Sequence, residues 1–158
     1  MPLSETLDLG FNGTAIFADF VNQNADAIIS LVPGGTGNTV PFTFEGQRFQ
    51  AATVLNNLEQ WSAPGSADPE ARFHASLNTC NGCHGPESGS GFLQINPRFP
   101  GDGSEAFLSP FITGTTVFDP FTGQRRTLND LGRRKQDMLN LVCGGEAPPP
   151  PVEQPPVQ

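Results

Sequence analysis

The segment PEARFHASLNTCNGCHG, residues 69–85, joins a predicted helix to a group of reactive side chains that includes two of the three cysteines. Pro69 and Glu70 are typical of a first helical turn, and Asp68 before them can act as its cap. The apolar positions that follow share one helical face: they are Phe73, Leu77 and Cys80. The pattern therefore predicts a short helix over residues 69–80 that leads into the run CNGCH.

Outside this segment the patterns are mostly helical. Residues 15–32 carry apolar side chains at helical spacing and end at the breakers PGGTG, which predicts an amphipathic helix. Residues 51–61 favour a short helix that ends at a tryptophan. FTFEGQRF, residues 42–49, alternates as a short hairpin does, and FDPFTGQRRT, residues 118–127, favours a turn between two short extended pieces. We expect a mainly α, loop-rich fold that can include a short β-hairpin.

The run TLNDLGRRKQDMLNLVCGG, residues 127–145, has the clearest helical pattern of the chain. Thr127 or Asn129 can cap its start, and a glycine pair can end it. Its apolar positions predict a stripe that faces the protein core: Leu128, Leu131, Met138, Leu139 and Val142. Cys143 near its end is expected to be a buried free thiol, or to form an intermolecular disulfide in an exported protein.

The composition is that of one loop-rich domain with a tail. At 158 residues the chain can bury a real core, and its 18 Gly and 16 Pro indicate many loops and short elements. With 13 Phe and no Tyr, we expect phenylalanine rings to line the core. Residues 1–146 are predicted to form a single mostly helical domain. APPPPVEQPPVQ, residues 147–158, is predicted to be a disordered, polyproline-like tail or linker.

The charge of the chain is strongly acidic. Its formal net charge is −8 and its isoelectric point is about 4.5, which argues against binding to the nucleic-acid backbone. No apolar run is long enough to span a membrane. We therefore expect neither a nucleic-acid partner nor a transmembrane segment.

The spacing C-x-x-C-H in residues 80–84 is typical of a c-type haem attachment site. Two thiols at this spacing can each form a thioether with one haem vinyl group, and the next residue is then held beneath the iron. We therefore predict one covalent haem c. Cys80 and Cys83 would attach it, and His84 would be the proximal axial ligand.

Two other uses of these cysteines stay open. Cys80 and Cys83 could close a CxxC disulfide, either structural or redox-active. Zinc is the second alternative and would need a Cys₃His set: Cys80, Cys83, Cys143 and His74. Structural zinc sites bring their ligands in close pairs, whereas Cys143 stands alone and far along the chain, so we favour haem.

The other face of the iron has two candidate ligands. Met138 lies on the predicted inward face of the last helix, and a His/Met pair raises the potential for electron transfer; we predict Met138 as the distal ligand, with His74 as the second candidate. With neither, a five-coordinate iron could bind small ligands or act on peroxide. Pro97 could supply a carbonyl that orients the axial histidine, and Arg98 could pair with a propionate, or both are plain loop residues.

The runs LNTCNGCHG, LSPFITG and DPFTGQRRTLNDLGRR resemble a C-terminal segment that recurs in uncharacterised exported bacterial proteins and lipoproteins. The resemblance covers roughly residues 70–143 and extends more loosely to residues 15–32. It implies a location in the cell envelope and a place for Cys143 in the design of the domain. The likeness to c-type cytochromes is limited to CNGCH and, more loosely, Pro97 and Met138.

Together these features predict a mono-haem, cytochrome-c-like protein that transfers electrons in the cell envelope, in the periplasm or at the cell surface. We expect an electron carrier with a protein redox partner rather than an enzyme, and any membrane anchor outside this chain. The run MPLSETLDLGF lacks the pattern of a signal peptide. Either a leader has been removed, or the chain belongs to a longer exported protein, or the motif is not a haem site. The alternative is a non-catalytic extracellular binding or structural module with a CxxC disulfide and no haem.

Overall fold

Short helices and two small antiparallel sheets make up the regular structure. The computed structural model describes residues 6–29, 40–53, 55–92, 94–95 and 98–144. Its helices are α1 (Ala15–Gln23), α2 (Ala25–Ile29), α3 (Pro69–Leu77), α4 (Cys80–Cys83), α5 (Pro110–Thr113) and α6 (Asp130–Cys143). Its strands are β1 (Thr43–Phe44), β2 (Gln47–Arg48), β3 (Thr115–Asp119) and β4 (Gln124–Leu128). The predicted mainly α, loop-rich fold with a short hairpin is confirmed, and the predicted tail lies outside the described residues.

The core lies where α1, α3 and the first hairpin meet, and aromatic rings fill it. Phe17 packs against Trp61 with ring centroids 4.9 Å apart, and Phe20 lies 4.9 Å from Phe49. All four side chains are buried. Since burying a large apolar side chain contributes about 1.5–3 kcal/mol, these rings supply much of the stability. The prediction of a phenylalanine-lined core is confirmed.

The helix predicted over residues 15–32 is interrupted after its second turn. Thr14 caps α1 by accepting the N–H of Phe17, as its sequence favours. At the other end Asn24 leaves the helical conformation, and its side-chain amide donates to the carbonyl of Phe20 at 2.8 Å. Asparagine ends the helix here because its side chain competes with the backbone for that carbonyl. α2 then begins at the next residue, and residues 30–39 lie outside the described part.

The prediction of a helix over residues 51–61 is wrong, because the described residues of this stretch form no helix. Two neighbouring asparagines explain it. The side-chain oxygen of Asn56 accepts the N–H of Leu58 at 2.9 Å, and that of Asn57 accepts the N–H of Glu59 at 3.1 Å. These local turns take backbone donors that a helix would need.

The helix predicted over residues 69–80 divides before the cysteine motif. Asp68 caps α3 as predicted by accepting the N–H groups of Glu70 and Ala71. The helix ends at Leu77, and Thr79 caps the new turn α4 by accepting the N–H of Gly82 at 3.0 Å. CNGCH therefore begins a turn of its own instead of continuing α3.

The turn of the C-terminal hairpin and the ends of the last helix lie where the sequence pattern predicts them. The last helix, however, does not pack as predicted. β3 pairs with β4 across a turn that Gly123 closes with a φ of 72°, as the turn residues predict. Asn129 caps α6, and Gly144 ends it in the left-handed conformation. No residue of α6 is buried, so the predicted inward stripe is wrong: Met138 is 67% exposed, and Leu128 belongs to β4.

The position of α6 explains why its apolar face is exposed. Its main contacts with other elements are with the single turn α5, which is too short to cover a helix of this length. Cys143, predicted to be buried, is an exposed free thiol at the end of this helix.

Candidate functional site

The CNGCH motif forms one capped helical turn and the residue after it. The backbone N–H of His84 donates to the carbonyl of Cys80 at 2.9 Å, which closes the turn. Positions three and four residues apart lie on one side of a helix, so this turn brings positions 80, 83 and 84 together. Cys80 is a half-buried free thiol, whereas the side chain of Cys83 lies outside the described part.

The ring of His84 is held by a backbone carbonyl. Its Nδ1 lies 2.8 Å from the carbonyl oxygen of Gly91, and its ring meets Phe92 edge-on at 5.8 Å. Because a carbonyl can only accept, Nδ1 carries the proton and Nε2 of the neutral ring keeps a lone pair for a metal. Pro97, the predicted source of an orienting carbonyl, lies outside the described residues; Gly91 supplies one instead.

The loop that carries this carbonyl is itself fixed by serines. The N–H of Phe92 donates to the hydroxyl of Ser90 at 3.2 Å, and the same hydroxyl donates to the carbonyl of Phe92. Ser88 donates to the carbonyl of Ser90 at 3.0 Å. Both serines are buried, so their hydrogen bonds restrain the loop that carries the Gly91 carbonyl.

The two residues between the cysteines pack the turn onto its surroundings. Asn81 is 1% exposed, and its side chain bonds to residues 57 and 59. A Cβ atom added to Gly82 would lie 1.8 Å from the carbonyl oxygen of Ser76, so only glycine fits against the end of α3. Nothing in the sequence alone marks Asn81 as buried, because asparagine is mostly an exposed residue.

A buried ionic cluster lies beside the motif. Arg72 on α3 donates to Asp119 of β3 at 2.6 Å and contacts Glu87, three residues after His84, at 3.4 Å. Arg126 on β4 donates to the same Asp119 at 2.8 Å. Arg72, Glu87 and Asp119 are nearly fully buried. The sequence pattern indicates this cluster only through Arg72, a charged residue on the buried face of α3.

Burial also shapes the protonation of this cluster. Burial raises the pKa of Glu87 above its usual range, although the N–H of Trp61 and the charge of Arg72 oppose the shift. Burial alone would raise the pKa of Asp119 as well, but the hydrogen bond from Arg126 and the charge of Arg72 outweigh it and lower the pKa. Glu87 is thus the carboxyl of the cluster that holds a proton most readily.

The remaining predicted site residues belong to two other helices, α3 and α6. His74 is half-buried on α3, where desolvation by burial lowers its pKa. Met138 and Cys143 are exposed on α6. Among the residues that the structure describes, no group of three or more His, Cys, Asp or Glu side chains could hold a metal ion; the side chain of Cys83, part of the zinc alternative, is not among them.

Comparison with known proteins adds no family. No protein-family model, curated protein or solved structure matches this chain. Across the described ranges, no helix is both long and apolar enough to cross a membrane. The motif therefore has to be interpreted from its own residues.

The residues present fit a covalent haem. Cys80 offers a free thiol, and the bond from Nδ1 of His84 to Gly91 leaves the other ring nitrogen for an axial bond. Exposed apolar side chains lie on both segments that contact the motif residues, Leu58 before it and Phe92 after it.

Proposed function

We propose that this protein is a mono-haem, c-type cytochrome-like electron carrier. The observation that carries the proposal is the hydrogen bond from Nδ1 of His84 to the carbonyl of Gly91, in a histidine that directly follows a one-turn CNGC helix. This bond orients the imidazole and fixes its tautomer, as metal ligation by the other ring nitrogen requires. Metal-binding histidines are almost always held through their second ring nitrogen in this manner.

The two cysteines and the histidine of the motif each have a role in this proposal. Cys80 and Cys83 would form the two thioethers, and Nε2 of His84 would bind the iron. When bound, the haem supplies one-electron redox chemistry. The chain orients the imidazole, keeps its proton on Nδ1 and makes it a better electron donor to the metal through the bond to Gly91.

The second axial position remains a proposal of its own. Met138 is exposed on α6, so its thioether is free of core packing and available to a ligand. His74 is half-buried on α3, and burial disfavours its charged form, which suits a neutral ligand. We propose Met138, because a His/Met pair suits electron transfer at a raised potential.

The proposed chemistry also suggests a place in the cell. Covalent haem attachment belongs to exported proteins, so we propose a periplasmic or cell-surface location and a protein redox partner. The chain would hand on electrons rather than transform an organic substrate.

Production of the protein together with a c-type haem maturation system tests the proposal. We expect a red protein whose Soret band stays with the polypeptide after acid-acetone extraction. The double variant C80A/C83A should lose the band, whereas the matched variant C143A should keep it. A colourless wild-type protein with Cys80 and Cys83 oxidised would contradict the proposal and support the binding or structural module.

A further inference from the structure

Residues 55–59, called the wall segment below, are tied directly to the motif turn. The side-chain oxygen of Asn81 accepts the N–H of Asn57 at 3.2 Å, and its amide donates to the side chain of Asn57 and to the carbonyl of Glu59. The amide of Asn56 donates to the carbonyl of His84 at 3.0 Å. These bonds hold an irregular segment beside the motif turn.

The wall segment displays two leucines to solvent. Leu55 is 60% exposed and Leu58 is 63% exposed. Leu58 also has a φ of 61°, a left-handed conformation that a residue with a branched side chain rarely adopts. Its N–H is accepted by Asn56, which stabilises this conformation. The chain thus fixes an apolar side chain in water, in a disfavoured conformation, beside the motif.

We propose that Leu55 and Leu58 form one wall of the haem site and pack on the porphyrin attached at the motif. The inference rests on the proposed function and extends it to residues outside the motif. Haem is the occupant because the wall segment is bonded to Asn81 and His84, which lie within the attachment turn itself. Phe92, half-exposed and in edge contact with the ring of His84, adds a second apolar surface to the same site.

The wall controls how far water reaches the iron. An apolar cover disfavours the more highly charged oxidised iron and therefore raises the reduction potential. Replacing a wall leucine with a polar residue should admit water and lower the potential. The thioethers and the bond from His84 to Gly91 involve other residues and would remain.

The test compares the variants L58N and L55N with the control F42N. Asparagine tolerates the left-handed conformation of Leu58, so the backbone can stay in place. Phe42 is 60% exposed, like the two leucines, but belongs to the first hairpin region. We measure the reduction potential of each haem-loaded protein, and the urea midpoint of each protein without haem.

We expect lower potentials in L58N and L55N than in the wild type and in F42N. Without haem, the urea midpoint of L55N should match the wild type because Leu55 is exposed, and that of L58N should be no lower, because asparagine tolerates the left-handed conformation better than leucine does. Unchanged potentials in both variants, with haem attached, would overturn the wall and leave the proposed function intact. A wild-type protein that takes up no haem would overturn the proposed function and the wall together.

Discussion

At the scale of single residues, Arg72 compensates the charges of two buried carboxylates. Its guanidinium contacts both Glu87 and Asp119, and all three side chains are at most 4% exposed. Removing one partner leaves the others as uncompensated buried charges, which costs about 3–5 kcal/mol. We therefore expect R72M to lower the free energy of unfolding by about that amount in urea titrations.

A matched control for R72M lies on α6. Arg134 bonds to Asp130 at 2.6 Å but is 70% exposed, so water screens the pair. R134M should change the free energy of unfolding by less than about 1 kcal/mol. Equal losses in R72M and R134M would mean that the buried cluster contributes no more than a surface ion pair.

Glu87 should make stability depend on pH. Burial raises its folded pKa above the ordinary value of 4.5, so between those two values the folded protein holds a proton that the unfolded chain has released. This contribution favours folding at low pH and is lost as the pH rises through the folded pKa. Burial lowers the pKa of His74, so just below its ordinary value of 6.5 the unfolded chain holds a proton that the folded protein lacks. This contribution makes the free energy of unfolding rise with pH, opposite to that of Glu87.

The variant E87Q isolates the effect of Glu87, because His74 is present in both proteins. We expect the unfolding free energy of the wild type to fall more steeply than that of E87Q as the pH rises from 4.5. Urea titrations across this range measure both curves. Parallel curves would show that Glu87 does not titrate differently in the folded protein.

The tautomer of His84 can be observed without haem. The bond to the carbonyl of Gly91 requires the proton on Nδ1, so the neutral ring should have a protonated Nδ1 and a bare Nε2. Nitrogen-15 chemical shifts of the imidazole distinguish the two tautomers. A ring protonated at Nε2 would contradict the proposed readiness of this nitrogen for iron.

At the scale of elements, the motif turn depends on a close approach to α3. A methyl group at Gly82 would lie 1.8 Å from the carbonyl oxygen of Ser76, a contact with backbone that cannot yield cheaply. We expect G82A to lower the free energy of unfolding by about 3 kcal/mol or more, and to reduce haem attachment by displacing the turn. Urea titration and absorbance per polypeptide measure the two effects.

Gly103 provides the control for G82A. Nothing lies within 4 Å of a Cβ atom built there. G103A should therefore leave the unfolding free energy within about 1 kcal/mol of the wild type and haem attachment unchanged. A G82A protein as stable as G103A would mean that the turn does not pack tightly on α3.

Residue types that favour caps and turns correctly predicted where several elements begin and turn. The cap at Asp68, the turn at Gly123 and the cap at Asn129 lie where the residue types favour them. The helix over residues 51–61 failed because side-chain amides of two asparagines capture backbone donors. The break before Cys80 was not predicted. It accompanies the close approach of Gly82 to the end of α3, a tertiary contact that no periodicity reveals.

At the scale of the whole molecule, the buried cluster joins parts of the chain that are far apart in sequence. Arg72 links α3 both to the loop after the motif, through Glu87, and to the second hairpin, through Asp119. The spacing of Cys80, Cys83 and His84 in the sequence was enough to predict them as the haem-binding residues of the proposal. Their supports were not predictable, because Asn81, Glu87 and Gly91 act only through contacts made by the folded chain.

The burial of the apolar face of α6 was predicted wrongly because burial depends on how the whole chain packs. An apolar stripe predicts that something covers a helix but not what covers it. In the described chain only the single turn α5 lies against α6 to a substantial extent, so Met138 stays exposed. A methionine in this setting suits the proposed axial role better than a role in the core.

The central claim is that CNGCH carries a covalent haem, and the intact mass of the protein after expression with the maturation system tests it most directly. We predict the mass of the polypeptide plus one haem, retained under denaturing conditions, with Cys143 still reactive to a thiol reagent. The mass of the bare polypeptide less two hydrogens, with Cys80 and Cys83 joined in a disulfide, would contradict the claim.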